Sequence, residues 1–251
     1  MIDLSNTDIV LLSAGVGKRL GKIGKIKPKS LIKIGNKTLI SRLIEILKKR
    51  KAEKINILVG YKSNLIKKEL KKIENIKINY VSVKDYKKYG HAFTWYKYKK
   101  YWSKKNSFLL IHTDIIFNVK LLDNIISSNS KNIVGVKSLG KNKLKAKTFV
   151  VKSNKKNYIE RISYIENMSD FSSEIVGINK LSKKIMGQFF NFMKIKFKTK
   201  RNKFLSWEQV LDMFIVEKKP LITALNKQFS PWVNINTTED IKKAKRTFSK
   251  I

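Results

Sequence analysis

Two glycines, an arginine and a lysine pair near the N-terminus have the types and spacing that handle a phosphate chain. Residues 12–31 read LSAGVGKRLGKIGKIKPKSL. A buried strand over Asp8–Leu12 runs into a loop with Gly15 and Gly17, then Arg19, then the cluster Lys27-Pro28-Lys29. Glycines let backbone N–H groups come close to phosphate oxygens, and arginine and lysine neutralise their charge. A loop of this kind after the first strand of an α/β unit handles nucleoside triphosphates. It nominates Leu12, Ala14, Gly15, Gly17 and Lys18 as nucleotide-binding positions, with Lys18 and Lys27 auxiliary to Arg19 and Lys29.

Two better-known phosphate motifs are excluded. A P-loop, G-x-x-x-x-G-K-[ST], needs Ser or Thr where Arg19 stands and glycine where Leu12 stands. The dinucleotide fingerprint G-x-G-x-x-G needs glycine at Leu20. A second chemical feature is the aspartate in FLLIHTDIIF: Asp114 ends an apolar strand, where an acid points out of the sheet rim. Mg²⁺ prefers carboxylate and phosphate oxygens, so Asp114 is the leading metal ligand.

The pattern A-G-x-G-x-R-L followed by K-P-K resembles the signature of the nucleotidyltransferase superfamily that makes nucleotide sugars and CDP-alcohols, with sugar-1-phosphate and phosphocholine cytidylyltransferase-like branches. The resemblance implies that Arg19 contacts the triphosphate, that Lys29 stabilises charge around the transferred phosphoryl group, and that Asp114 binds the metal. PWVNINTTED resembles the closing motif W-x-D-[IV]-[DGN]-T-P-E-D. It implies a second metal ligand at Asn234, an amide where the motif has a carboxylate, with Asn236 as a further candidate that could instead cap the helix or support the site. Tyr89-Gly90-His91-Ala92 partly matches L-G-T-A, which implies that Gly90 packs near base and sugar, with His91 replacing threonine. Glu166, in SYIEN, sits where sugar-specific members have F-x-E-K-P. Glu174, in SSEIVGI, resembles the G-E-x-x-G-I of the phosphocholine branch, where an acid faces a cationic acceptor. Glu166, Glu174 and Trp232 are therefore the acceptor-binding candidates, while Trp95, Trp102 and Trp207 read as core, and His112 as a core or rim residue.

The implied reaction joins two anions. A phosphate oxygen of the acceptor attacks the α-phosphorus of a nucleoside triphosphate, with CTP or UTP favoured, and pyrophosphate leaves. The acceptor phosphate is ionised near neutral pH, so alignment and charge neutralisation with Mg²⁺ suffice.

The elements that must position these groups alternate. Leu39, Ile40, Leu43, Ile44 and Leu47 recur at helical spacing, Ile55–Val59 reads as a buried strand, Leu65–Ile73 as a helix and Ile76–Val83 as a strand. A helix around Phe93–Tyr101 leads to the strand Phe108–Ile111. The second half is less regular. Ile133–Val136, Thr148–Val151 and Tyr158–Ile165 read as strands, 182–197 as a helix, Trp207–Val216 as a helix and Leu221–Leu225 as a strand. Thr237 with Asp240 reads as a capping box opening a last helix. This order predicts an α/β fold, and the family implies a Rossmann-like three-layer α/β/α sandwich with a mixed, mostly parallel sheet. The reading is one domain over 1–251, with a nucleotide-binding half to about residue 120 and an acceptor-binding half after it. Ligands in such sheets bind beyond the carboxyl ends of strands, where both the glycine loop and Asp114 fall.

A chain of 251 residues with 42% hydrophobic content can bury a sizeable core. It has no cysteine, hence no disulfide framework or thiolate metal site. The N-terminus lacks a signal-like pattern and no stretch approaches a membrane span, so the expectation is a cytoplasmic protein with no membrane partner. The net charge of +38 invites a nucleic-acid reading. The lysines, however, are spread from end to end and fall between apolar helix positions, and arginine is scarce, so no nucleic-acid partner is expected. The partners expected are NTP and a phosphorylated small molecule, with a homo-oligomer left open. A basic nucleic-acid-binding protein and a family member that binds nucleotide without turnover are the competing readings.

Overall fold

The computed structural model describes residues 2–139, 148–165, 171, 173–226 and 231–249. In chain order the elements are β1 (Thr7–Ser13), α1 (Lys22–Ile26), the short hairpin β2 (Lys33–Ile34) and β3 (Lys37–Thr38), α2 (Leu39–Lys48), β4 (Lys54–Val59), α3 (Ser63–Leu70), β5 (Lys77–Ser82), α4 (His91–Tyr96), β6 (Ser107–His112), β7 (Ile115–Phe117) and α5 (Val119–Ser127). They continue as β8 (Ile133–Ser138), β9 (Thr148–Ser153), β10 (Ile159–Ile165), β11 (Ser173–Ser182), α6 (Lys183–Lys196), α7 (Trp207–Lys218), β12 (Thr223–Asn226), β13 (Trp232–Asn234) and α8 (Thr238–Thr247).

The main sheet runs β10-β9-β11-β6-β1-β4-β5, with β8 on β11 and β12 on β8. Strands β6, β1, β4 and β5 are parallel neighbours. Strand β11 joins them antiparallel, pairing with β6 through Ile178–Ser182. The α/β architecture with a mixed sheet follows from the sequence pattern. Parallel strands covered on both faces need apolar residues at every position, and β1 supplies them: Val10 belongs to one buried cluster, and Ile9 and Leu11 to another. The first cluster packs the sheet against α4, α6 and α7 through residues such as Trp95, Phe189 and Trp207. The second packs it against α2, α3 and α5 through Leu43, Ile66 and Leu122. Three layers result.

A third, smaller cluster holds the functional end of the molecule. Leu20, Ile32 and Ile34, from the segment after the glycine loop, pack with Ile116 of β7, Val233 and Ile235 around β13, and Ala244 and Phe248 at α8. Strands β7 and β13 pair antiparallel, with Asn234 opposite Ile115. The Ile235 N–H donates to the Asp114 carbonyl at 2.7 Å. The segments carrying Lys29, Asp114 and Asn234 therefore share one apolar floor.

The capping box expected at Thr237 is present. Its side chain accepts from the Asp240 N–H, and the Asp240 carboxylate accepts from the N–H groups of Thr237 and Asn236, each at 2.8 Å. One carboxylate thus opens α8 and fixes the backbone at Asn236. Thr237→Ala should cost about 1 kcal/mol of stability, the usual size of a lost N-cap, and Thr237→Ser should recover most of it in urea denaturation.

Candidate active site

The glycine loop leaves β1 at the carboxyl edge of the sheet. Ser13 donates to the Ser30 hydroxyl at 2.8 Å, and the Ala14 carbonyl accepts from Tyr61 N–H at 3.2 Å, so both flanks of the loop are tied down. Gly17 has φ +69°, and a Cβ there would lie 2.9 Å from Lys29 Cγ. Glycine is needed twice over, for the left-handed backbone and for room beside the lysine stem. A 3₁₀ turn at Lys18–Leu20 then presents Arg19, and another at Lys29–Leu31 presents Lys29.

The Lys29 ammonium is the centre of the site. It donates to Asp114 Oδ2 at 2.9 Å and to Asn236 Oδ1 at 2.7 Å. Arg19 Nη2 donates to the same Asn236 oxygen at 2.8 Å. Burial alone would raise the Asp114 carboxyl; the Lys29 charge and hydrogen bond, with His112, more than offset it and hold the group below its ordinary value. Thr113 links this strand end to the loop, donating from its hydroxyl to the Leu12 carbonyl at 2.7 Å.

These groups line one cleft of about 400 Å³, together with Leu12, Ala14, Gly15, Gly17, Lys18 and Asn234. The nucleotide, metal and catalytic candidates of the glycine loop, Asp114 and Asn234 are thereby brought together. Asn234 Oδ1 is buried without a hydrogen-bond partner among the described residues, an arrangement that costs free energy unless a ligand satisfies it. Among the described residues no group of three or more histidines, aspartates and glutamates could hold a metal. A divalent ion here would rest on the Asp114 carboxylate, the orphaned Asn234 oxygen and ligand phosphates, a donor set that suits Mg²⁺. Asn236 is engaged with Arg19 and Lys29 through its only side-chain oxygen, and Thr237 is the helix cap.

Three expectations are corrected. Trp232 does not reach the cleft: it is buried in the sheet core, and its Nε1–H donates to the Val176 carbonyl at 2.9 Å. Glu174 stands behind the wall, accepting from the Thr148 hydroxyl at 2.8 Å; burial pushes its carboxyl above the ordinary value, and it is Thr148 that faces the cleft. Gly90 packs against backbone instead of lining the cavity: its N–H donates to the Lys203 carbonyl at 2.8 Å, and a Cβ would lie 2.2 Å from the Leu205 carbonyl oxygen. Glu166 lies outside the described residues. His112 Nε2 accepts from Trp207 Nε1–H at 2.9 Å, and the residue lines the cleft rim. The sequence reading missed the aromatic pair Phe149 and Tyr164, with ring centroids 5.0 Å apart, and Glu208, all of which line the cleft.

Residues 8–164 match the family model described as nucleotidyl transferase. The chain belongs to that family. Among curated proteins it is similar to the bifunctional protein GlmU of Methanococcus maripaludis, with 33% identity over 132 residues, 53% of this chain and 30% of that protein. It is also similar to the UTP–glucose-1-phosphate uridylyltransferase AglF of Haloferax volcanii, with 27% identity over 126 residues, 50% of this chain and 46% of that one. The matches thus span less than half of each relative. Among solved structures, the inositol-1-phosphate CTP transferase from T. maritima superposes with TM-score 0.77 at 18% identity, covering 97% of this chain and 96% of that one. The CTP:phosphocholine cytidylyltransferase from Streptococcus pneumoniae does so with TM-score 0.75 at 16% identity, covering 96% and 98%. These likenesses establish the shared fold over the described sheet and helices.

Because Asp114 is held below its ordinary value, it contributes stability above the ordinary carboxylate range and loses that contribution as pH falls through its depressed pKa. Lys29→Met removes the offsetting charge and leaves burial acting on the carboxyl. NMR titration of Asp114 should then show an upward shift, and any stability difference between wild type and variant that comes from this pair should fade at acid pH.

Proposed function

We propose that the chain transfers a nucleotidyl group from a pyrimidine nucleoside triphosphate, CTP or UTP, to the phosphate of a small metabolite. The acceptor is a sugar 1-phosphate or an alcohol phosphate or phosphonate of the phosphocholine type. The observation that carries this reading is the convergence of Arg19 and Lys29 on Asn236 and Asp114 beside the glycine loop. The names of the relatives, which speak of UTP, CTP and glucose 1-phosphate, support the substrate classes.

In this reading an oxygen of the acceptor phosphate attacks the α-phosphorus. A new P–O–P linkage forms, the bond to the β-phosphate bridging oxygen breaks, and pyrophosphate carries away the electron pair. The glycine-loop amides and Arg19 hold the triphosphate. Lys29 exchanges its contacts with Asp114 and Asn236 for phosphoryl oxygens, where its charge stabilises the transition state more than the ground state. Asp114 and Asn234 would hold Mg²⁺, which when bound neutralises phosphate charge and polarises the phosphoryl group. Asn234 brings an oxygen without a negative charge, so ion affinity should be lower than at a two-carboxylate site. No general base is required. No described helix is long and apolar enough to cross a membrane, in keeping with the cytoplasmic setting we propose.

Pyrophosphate release across four NTPs and a set of acceptor phosphates tests the proposal. Arg19→Ala and Lys29→Ala should each cost about 2–4 kcal/mol in transition-state stabilisation, as when a key charge-stabilising donor is lost. Asp114→Asn should abolish activity or its Mg²⁺ dependence without unfolding the chain. Asn234→Asp should lower the Mg²⁺ concentration needed for half-maximal rate. Near-normal turnover in the first three variants contradicts the assignment.

A further inference from the structure

An unsatisfied group that lines the cleft outside the phosphate machinery is the carboxyl of Glu208. The residue is 5% exposed, it lines the cleft, and its Oε2 has no hydrogen-bond partner among the described residues. His91 Nε2 lies 3.8 Å from that oxygen, beyond hydrogen-bond reach. A buried carboxyl oxygen without a donor costs stability. Glu208 is also one of only 18 acidic residues in a chain carrying 56 basic ones, yet among the described residues no lysine or arginine pairs with it.

Its place in the fold says what it faces. Glu208 sits in the first turn of α7. One turn further on, the Asp212 carboxylate accepts from the Ile162 N–H of β10 at 2.7 Å, which locks α7 to that strand. Strand β10 carries Tyr164, and Tyr164 with Phe149 of β9 forms the aromatic side of the cleft. Glu208 therefore belongs to the wall contributed by the second half of the chain. The triphosphate proposed above needs Arg19 and Lys29, which come from the first half of the chain. An acid beside the phosphates would oppose their charge, whereas an acid beside the uncharged or cationic part of an acceptor would not.

We propose that Glu208 is a specificity-determining residue that accepts a hydrogen bond from an O–H or N–H group on the acceptor, next to the aromatic pair. This rests on the nucleotidyl-transfer reading and narrows it: acceptors whose head group has a donor, a sugar or polyol hydroxyl or a primary ammonium, are selected over a quaternary ammonium, which gains charge and ring contacts but leaves the buried oxygen without a hydrogen bond. A site that must satisfy a buried carboxyl discriminates against ligands that leave it unpaired.

The test uses the full chain with CTP or UTP and Mg²⁺. The acceptors are glucose 1-phosphate for the hydroxyl source, phosphoethanolamine for the ammonium source and phosphocholine as the acceptor without a donor. Wild type should use one of the first two with kcat/KM roughly tenfold or more above phosphocholine, the ratio set by one unmade hydrogen bond to a buried group. Glu208→Leu should raise the KM for that acceptor by about tenfold and leave the KM for NTP unchanged; Glu208→Gln, which keeps an acceptor oxygen, should recover part of the loss. Removing an unsatisfied carboxyl should also raise the Tm of Glu208→Leu, by about 2–4 °C if the gain is near that of one hydrogen-bond-sized interaction.

Equal use of phosphocholine by wild type overturns the inference while leaving nucleotidyl transfer intact. So does a Glu208→Leu variant whose NTP KM rises instead of its acceptor KM, which would assign the donor to the nucleotide. A variant with lower Tm and unchanged acceptor KM would make Glu208 a structural partner of His91. Absence of pyrophosphate release with every acceptor is a different result, seen in wild type before any variant is compared, and it removes the underlying reading and this one together.

Discussion

One ammonium group organises this protein's functional end. Lys29 Nζ is shared between the Asp114 carboxylate and the Asn236 amide oxygen, and Arg19 reaches the same amide. Two cations meet one acidic side chain, so the cluster carries one positive charge in excess before anything binds. Like charges held this close are tolerated because the cluster is partly buried against a dedicated apolar floor and because an amide and a carboxylate stand between them. The arrangement is preorganised for an anion: the donors are fixed before the ligand arrives, which is what makes such groups effective in a site that excludes water.

The fold serves that cluster by bringing distant chain segments to one edge. Strand β1 delivers the glycine loop, β6 delivers Asp114, and β13 delivers Asn234 and Asn236 from more than a hundred residues further on. The third apolar cluster joins the three deliveries, since Leu20, Ile32, Ile116, Val233 and Ile235 come from the segments that carry the polar groups. The long antiparallel strand β11 then carries the sheet onward to β9 and β10, which build the aromatic side of the cleft. The phosphate-handling groups thus follow the central strands β1 and β6, while the aromatic side comes from the β9–β10 end of the same sheet.

Much of this was legible in the sequence. The strands of the first half are continuous apolar runs, the helices between them keep a 3.6-residue period, and the glycine loop with Lys27-Pro28-Lys29 is compact enough to read directly. What was hidden was hidden for physical reasons. Strand β11 was not foreseen because polar residues interrupt its apolar pattern: Asn179 is buried within it, and the Lys180 ammonium is spent on the carbonyls of Ile126 and Ser128. Glu208 gave no signal, since an acid in the first turn of a helix is the ordinary complement to the helix dipole; only the packing of α7 against β10 turns it toward a cavity. Trp232 misled in the opposite direction. Asn234, two residues on in the same strand, lines the cleft, but the indole packs into the second apolar cluster and is anchored there by its hydrogen bond to the Val176 carbonyl. Asn236 was recognised as part of a motif, yet its work as a junction for two cations depends on segments about two hundred residues apart and has no local signature.

The account stands most directly on where a nucleotide and a divalent ion sit. Crystals grown with CTP or UTP and Mn²⁺ in place of Mg²⁺ would locate the metal by its anomalous scattering. The prediction is a peak bridging Asp114, Asn234 and the phosphates, with the triphosphate along Gly15–Arg19 and Lys29 on a phosphoryl oxygen. A nucleotide bound elsewhere, or a metal that leaves Asp114 in its pair with Lys29, would contradict it.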